Sequence, residues 1–386
     1  MAPKKLKNSR ATNSTAAAVA ACEDLMLCVL ARLPVKSICR FKSVCKHWNH
    51  LLSNQEFVKM QFKLSSESKN QSFIIYRIDK NGRNHISVFN IESNEKKAKI
   101  LDHPLNFTSI VGCCNGLVCI ELGQAFVLWN PAMSLSKIVA PSKDRGVFES
   151  ASLGFGYDAE VDDFKVVRII CLRCKGRSRM CVSWVDVYSA NLDSWTTIDP
   201  GFQFSELWFY WIDNNATVNG NPCWFGKVDK VGVIEDVLIY FDMSKLVFKI
   251  VPLSSLDYNQ AELDIKVVDS NGSLGALVFT WGKQEDIYWK LWNWEPRERI
   301  EYVDSWVFDD GEQIWTKSHS VGPIKVKMDL VLRSLKDGRV LGVRPNGKLI
   351  VFNKETKCVK GLFNVGHDFE IYDYTESLAY IQGMEH

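Results

Sequence analysis

No apolar run in these 386 residues approaches the length that crosses a bilayer as a helix. An excess of one charge is missing too. Lys and Arg total 47 and Asp and Glu 45, a formal net charge of +2, so no global pull toward nucleic acid or acidic membranes exists. The run AAAVAA near the N-terminus is too weakly apolar for a secretory signal, and Glu23-Asp24 follow it at once. Chemistry-bearing motifs are scarce. Cys171-x-x-Cys174 lacks the second pair that a structural zinc site needs, with only Cys181 nearby, and reads as an ordinary strand-and-loop pair. Gly154-Phe-Gly156 lacks the third glycine of a dinucleotide loop and reads as a turn. The seven histidines stand in no recognisable nucleophile setting. Asp162-Asp163 and Asp309-Asp310 read as solvated loop charges. These gaps argue against an enzyme, and no catalytic residue, metal or cofactor is expected.

One absence is local. The 28 residues from Leu25 to Leu52 contain no Asp or Glu, and 17 of them are apolar. Arg32, Lys36, Arg40, Lys42 and Lys46 supply the charge. Met26, Val29, Leu30 and Leu33 follow i, i+3, i+4, i+7, a helical face. Pro34 ends that helix and opens another, over which Ile38, Phe41, Val44, Cys45, Trp48, Leu51 and Leu52 keep the spacing. Two or three short helices in a hairpin cannot bury so many apolar side chains among themselves. Either the rest of the chain covers them, or they form a docking face, apolar at its centre and basic at its rim, for an acidic partner.

Beyond residue 70 the pattern becomes short strands punctuated by Asn-Gly and Asp-Gly, dipeptides suited to tight hairpins. Six strands end in an aromatic followed by a small polar residue: Phe89-Asn90, Trp129-Asn130, Tyr188-Ser189, Phe241-Asp242, Trp292-Asn293 and Phe352-Asn353. The polar residue starts a turn by accepting a backbone hydrogen bond, and the aromatic anchors the unit. A period near 50 residues with about four strands per unit is that of propeller blades. The expected architecture is α+β multidomain: a small helical module, then an all-β, propeller-like domain of about six irregular blades. A large β-sandwich with coincidental turns is the alternative. The bounds are 1–20 for a disordered basic tail, 21–60 for the module, 61–70 for a linker and 71–382 for the β domain. The terminal YDYTESLAYI is placed beside the first blade, hiding both edges. PKKLK in the tail reads as a weak nuclear import signal or as plain disorder, so residence is nucleus and/or cytoplasm.

The segment from Leu25 to Phe57 resembles the F-box, with RLPVKS, RFKSVCKHW and NQEF in register. The F-box usually opens with Leu-Pro, and here Ala21-Cys22 stand there. CCNGLVCIE, VLWNP, GFGYDAEVDDFKVVRI, VYSANLDSW, VNGNPCWFG, FDMSKLVFKIVPL and YTESL resemble, in order, the landmarks of the plant F-box-associated domain, similar to that of the S-locus F-box proteins. The resemblance implies a non-catalytic substrate receptor. The F-box would bind a Skp-type adaptor, and through it a cullin, in an SCF ubiquitin ligase, while the β domain would bind the protein to be ubiquitinated. By motif match the adaptor-side positions are Leu25, Leu30, Leu33, Pro34, Val35, Ile38, Val44, Cys45 and Trp48. Trp208, Tyr210 and Trp211, in an aromatic-rich loop, are candidates for target contact. Neither nucleic acid nor membrane is an expected partner. Two rivals stay open: an adaptor-binding scaffold or decoy without cullin, and a propeller-fold enzyme.

Overall fold

The computed structural model describes residues 23–68, 71–78, 82–92, 96–98, 109–142, 150–173, 180–199, 207–209, 216–230, 233–256, 265–270, 272–281, 300–324, 326, 328, 330–335, 337–366 and 369–385. The basic tail lies outside them, as do Cys174, Tyr210, Trp211 and the Trp292-Asn293 pair. Four helices come first: α1 (23–30), α2 (Val35–Lys42), α3 (Lys46–Leu52) and α4 (Gln55–Glu67). Asn54 caps α4, its Oδ1 accepting the Glu56 amide at 2.8 Å. That helix runs through 61–67, where the polar composition suggested a linker. Its buried side, with Phe57 and Gln61, holds it as structure despite its serines.

Six antiparallel sheets follow in a ring. The second blade orders Ser109–Cys114, Leu117–Leu122, Ala125–Asn130 and Leu135–Val139 from the axis outward. The third orders Ser150–Asp158, Asp163–Arg173, Met180–Ser189 and Ser194–Ile198. In the fourth, Leu207–Phe209 and Ala216–Val218 share the inner edge of Asn221–Lys230, followed by Val233–Asp242 and Val247–Pro252. The fifth has Ile265–Ser270, Ser273–Trp281, Ile300–Asp309 and Ile314–Val321, and the sixth Leu330–Ser334, Val340–Val343, Lys348–Phe352 and Val359–Asn364. The first blade joins both ends of the domain. Phe369–Tyr374 pairs with Ser72–Ile78, Ser72 opposite Tyr374, and Asn84–Asn90 and Lys96–Ala98 complete it. The closing strand lies beside the first blade as expected, but of YDYTESLAYI only Tyr372–Tyr374 belong to it, and residues 375–381 are not strand. Cys113, Tyr157, Thr217, Val268, Arg333 and Asp373, one from each inner strand, line a single central cavity, which establishes the ring.

The aromatic–polar repeat has the expected physical basis. Asn90, Asn130, Asp242 and Asn353 each accept, through Oδ1, backbone amides two or three residues on, and Ser189 Oγ accepts the Leu192 amide. In the fifth blade that position belongs to Phe308-Asp309, whose Oδ1 accepts the amides of Gly311 and Glu312. The two-residue signature was too short to separate this pair from Trp292-Asn293. The aromatics Phe89, Trp129, Tyr188, Phe241, Phe308 and Phe352 are all buried. Gly154 and Gly156 are not in a turn. They lie within Ser150–Asp158, where added Cβ atoms would meet Trp224 at 2.6 Å and the Gly220 carbonyl at 2.1 Å. Their role is close approach between blades.

Tryptophan links neighbouring blades. The indole N–H of Trp195 donates to the Ala140 carbonyl, that of Trp224 to Leu153 and that of Trp315 to Pro252, each at 2.9 Å and each reaching back to the preceding blade or its exit. A buried polar knot adds to this. Asp158 at the end of the third blade's inner strand pairs with Lys165, which also donates to the Met243 carbonyl of the fourth blade, and Ser244 Oγ donates to Asp158 at 2.6 Å. Burial pushes the Asp158 carboxyl up, but the hydrogen bonds from Lys165, Ser244 and the Glu160 amide outweigh it and hold the group below the usual carboxylate value. A carboxyl depressed in the fold contributes stability above its unfolded pKa and loses it as pH falls through the folded one. Asp158→Asn is therefore expected to cost about 3 kcal/mol near neutral pH, the scale for breaking a buried pair. The gap from wild type should narrow below about pH 4. Urea unfolding across that range checks this, and a constant gap would refute it.

Candidate functional site

The helical module divides its apolar residues between two faces. Leu30, Ala31, Val35, Ile38, Leu52 and Phe57 are buried with Ala132 and Leu378 of the propeller. Trp48 is half-buried against Phe41, ring centroids 5.5 Å apart, and Leu33 is half-buried at the edge of the same cluster. The outward face carries Leu25 at 67% exposure, Val29 at 57% and Val44 at 64%, with Pro34, Cys28 and Cys45 also exposed. Arg32, Lys36, Arg40 and Lys46 are exposed around them. His47 of α3 lies 3.3 Å from Glu23 of α1, spanning the two helices.

Three of the nine sequence-selected positions, Leu25, Val44 and Cys45, are exposed and outside the cavity beneath the module, while Pro34, also exposed, borders that cavity. Leu30, Val35 and Ile38 were placed on the adaptor side, and the structure moves them to the interior, because Phe57, Ala132 and Leu378 occupy that side of the helices. Val29 is the reverse case. It shares a helical face with Met26, Leu30 and Leu33 in the sequence pattern and is not among the nine, yet it is exposed. The available signal was Leu25 to Val29, an i, i+4 pair flanked by charge-free Cys28.

The module rests on a seat that brings together segments far apart in sequence. Asn130 is fully buried, and its Nδ2 donates to the carbonyls of Ser377 at 3.0 Å and Ala379 at 2.8 Å. Its Oδ1 accepts the amides of Ala132 at 3.0 Å and Met133 at 3.1 Å. Every hydrogen-bonding position of that amide is filled. Ala132 and Leu378, the two propeller residues in the module's core, are held by these bonds or lie between them. Gly116 closes over the same tail at φ +81°, and an added Cβ would fall 2.2 Å from Ser377 Cβ. Lys59 of α4 pairs with Asp162 at 3.0 Å on a neighbouring turn. Because strand direction alternates, turns 131–134 and 159–162 lie at one end of the blades. The module covers that end.

Between module and propeller is a cavity of about 1420 Å³, which residues 31–35, Gln61, Phe62 and Leu64 roof and the inner strands line. Arg333 and Asp373 face each other across adjacent blades, Nε to Oδ2 3.1 Å. Trp208 lies on Leu207–Phe209, opposite Lys227, toward the end of the fourth blade away from the F-box.

Two family models match: the F-box domain over residues 22–60 and the F-box associated beta propeller domain over residues 50–368. The chain belongs to the plant F-box proteins that carry an F-box-associated propeller. It is 24% identical over 337 residues to an F-box/kelch-repeat protein of Arabidopsis thaliana, covering 82% of this chain and 88% of that one. It is 24% identical over 374 residues to an Arabidopsis thaliana F-box protein, covering 87% and 84%. These relatives do not single out the S-locus proteins. Among solved structures, an oligogalacturonate lyase in complex with manganese overlaps 74% of this chain and 72% of its own, with a TM-score of 0.40 and 8% identity. So slight a likeness carries no functional inference.

The F-box is therefore α1 to the start of α4, and its match overlaps the propeller match along residues 50–60. Phe369–Tyr374 falls just past the propeller match, although it closes the first blade. The landmarks CCNGL, WNP and YTESL meet at the F-box seat, through Gly116, Asn130 and Ser377. F-box and propeller together fit an F-box substrate receptor.

Proposed function

We propose that this F-box protein is the substrate-recognition subunit of an SCF-type ubiquitin ligase. The exposed Leu25, Val29, Val44 and Cys45 bind a Skp-type adaptor, and through it a cullin. One observation carries this reading: Leu25, Val29 and Val44 of the F-box stay exposed while its other side packs on Ala132 and Leu378 of the propeller. Large exposed apolar groups concentrated on one element mark interaction sites, and the Arg and Lys rim favours an acidic partner and speeds its capture. The propeller's end away from the F-box, toward which Trp208 lies, holds the protein to be ubiquitinated. No bond chemistry is required of the chain. Its contribution is effective concentration, since the mounted F-box fixes the bound target relative to the conjugating enzyme. The PKKLK run keeps both nucleus and cytoplasm within the proposal.

Affinity purification of the full chain from plant extract, followed by reconstitution with adaptor, cullin and conjugating enzyme, tests it. Adaptor and cullin should co-purify, and ubiquitin should transfer to co-purifying proteins in a chain-dependent manner. Adaptor without cullin would instead establish the scaffold reading, and neither would overturn both.

A further inference from the structure

One hydroxyl stands apart in its charge surroundings. Arg40 is followed three residues on by Ser43, and no other arginine in the chain has a serine or threonine at that distance. Lys42 precedes this serine, Lys46 lies three residues after it, and no Asp or Glu occurs between Leu25 and Leu52. Ser43 is exposed, as are Arg40 and Lys46, and it forms the C-cap of α2, with Arg40 in the last turn of that helix. Its Oγ donates to the Arg40 carbonyl at 2.7 Å, an exposed bond at a helix end, where fraying is common. Val44 and Cys45, both exposed, follow it directly.

We propose that Ser43 is a phosphorylation site for a protein kinase that selects an arginine three residues before its target hydroxyl, and, given the adaptor-binding role proposed above, that its phosphate closes the face around Val44 to the adaptor. Kinases choose substrates by charge pattern, and a basic run free of carboxylates suits an acidic substrate groove. In the transfer, Ser43 Oγ attacks the γ-phosphorus of a nucleoside triphosphate held by the kinase. The bond from that phosphorus to the bridging oxygen breaks, the nucleoside diphosphate leaves, and the hydroxyl proton passes to the kinase's catalytic carboxylate.

A phosphoserine carries about −1.5 to −2 charges at neutral pH. Beside Val44 it would be desolvated against an apolar contact once the adaptor covered it, and unpaired charge is costly there. It also offsets Arg40, Lys42 and Lys46, which removes the pull on an acidic partner. The esterified Oγ no longer donates to the Arg40 carbonyl, and the new charge sits at the carbonyl end of α2, where anions are disfavoured. Ser43 lies outside the buried cluster of Leu30, Val35 and Ile38, so the chain stays folded.

Incubation of the full chain with ATP and a purified arginine-directed protein kinase, followed by mass spectrometry and calorimetric titration with purified adaptor, tests this. Ser43 should be modified, and Arg40→Ala should slow that modification at least roughly tenfold. The phosphorylated chain should bind adaptor at least roughly 30-fold more weakly than the untreated chain, and phosphatase should restore the affinity. Ser43→Ala should show one affinity before and after kinase treatment, which separates Ser43 from any phosphate placed elsewhere. No phosphate on Ser43, or equal adaptor affinity with and without it, would overturn the proposal while the adaptor role stands. An untreated chain that failed to bind adaptor would overturn that role, and the proposal with it.

Discussion

Asn130→Ala is expected to destabilise the chain by about 3–5 kcal/mol, since each buried polar group left unsatisfied costs roughly 1–3 kcal/mol and water reaches some of them. The substitution orphans the carbonyls of Ser377 and Ala379 and the amides of Ala132 and Met133. Asn130→Asp should be no milder. It keeps the two accepted bonds but sets a carboxylate against two carbonyls. Asn353→Ala is the control. Asn353 begins the same kind of turn in the sixth blade, accepts only the amides of Glu355 and Thr356, and is less buried. Its loss should cost no more than about 1 kcal/mol. Urea unfolding measures both. If the two variants proved equally mild, Asn130 would be an ordinary turn residue and the seat would not depend on it. The loss should also reach the F-box, because Ala132 and Leu378 belong to its core.

Leu25→Glu combined with Val44→Glu is expected to weaken adaptor binding at least 100-fold, about 2.7 kcal/mol, while changing stability by less than about 0.5 kcal/mol. Both residues are about two-thirds exposed in the free chain, so a carboxylate at either remains hydrated until a partner covers it. In the complex it would be desolvated within an apolar contact, where unpaired charge is costly. Leu33 is a poorer probe. It packs at the edge of the module's core, and truncating it would mix lost affinity with lost stability. Calorimetric titration with purified adaptor measures the effect. Undiminished affinity would remove these residues from the interface.

Features set by neighbouring residues were legible in the sequence. An Asn, Asp or Ser after a buried aromatic makes its own turn, so five of the six turns and the blade count could be read before any contact was known. The exception shows the limit: Trp292-Asn293 carries the same two residues as a true turn start, and only pairing of Ile300–Asp309 with Ile314–Val321 identifies Phe308-Asp309 as the fifth. Long-range features were not legible. Nothing near Asn130 announces that its amide will meet residues 247 and 249 positions later. The F-box faces failed for a related reason. Val29 and Leu30 stand about 100° apart around their helix, yet both fit the same i, i+3, i+4 apolar pattern, and which one turns inward was decided by Ala132 and Leu378, remote in sequence. Gly154 and Gly156 were misread as a turn because glycine serves close packing and sharp bends alike.

Hydrogen exchange of the full chain, alone and with a purified Skp-type adaptor, tests the central claim most directly. The account predicts a stable complex with new protection at residues 24–30 and 43–48, and blades unchanged in exchange. Failure to form a complex, or protection confined to the propeller while Leu25, Val29 and Val44 stay open, would contradict it.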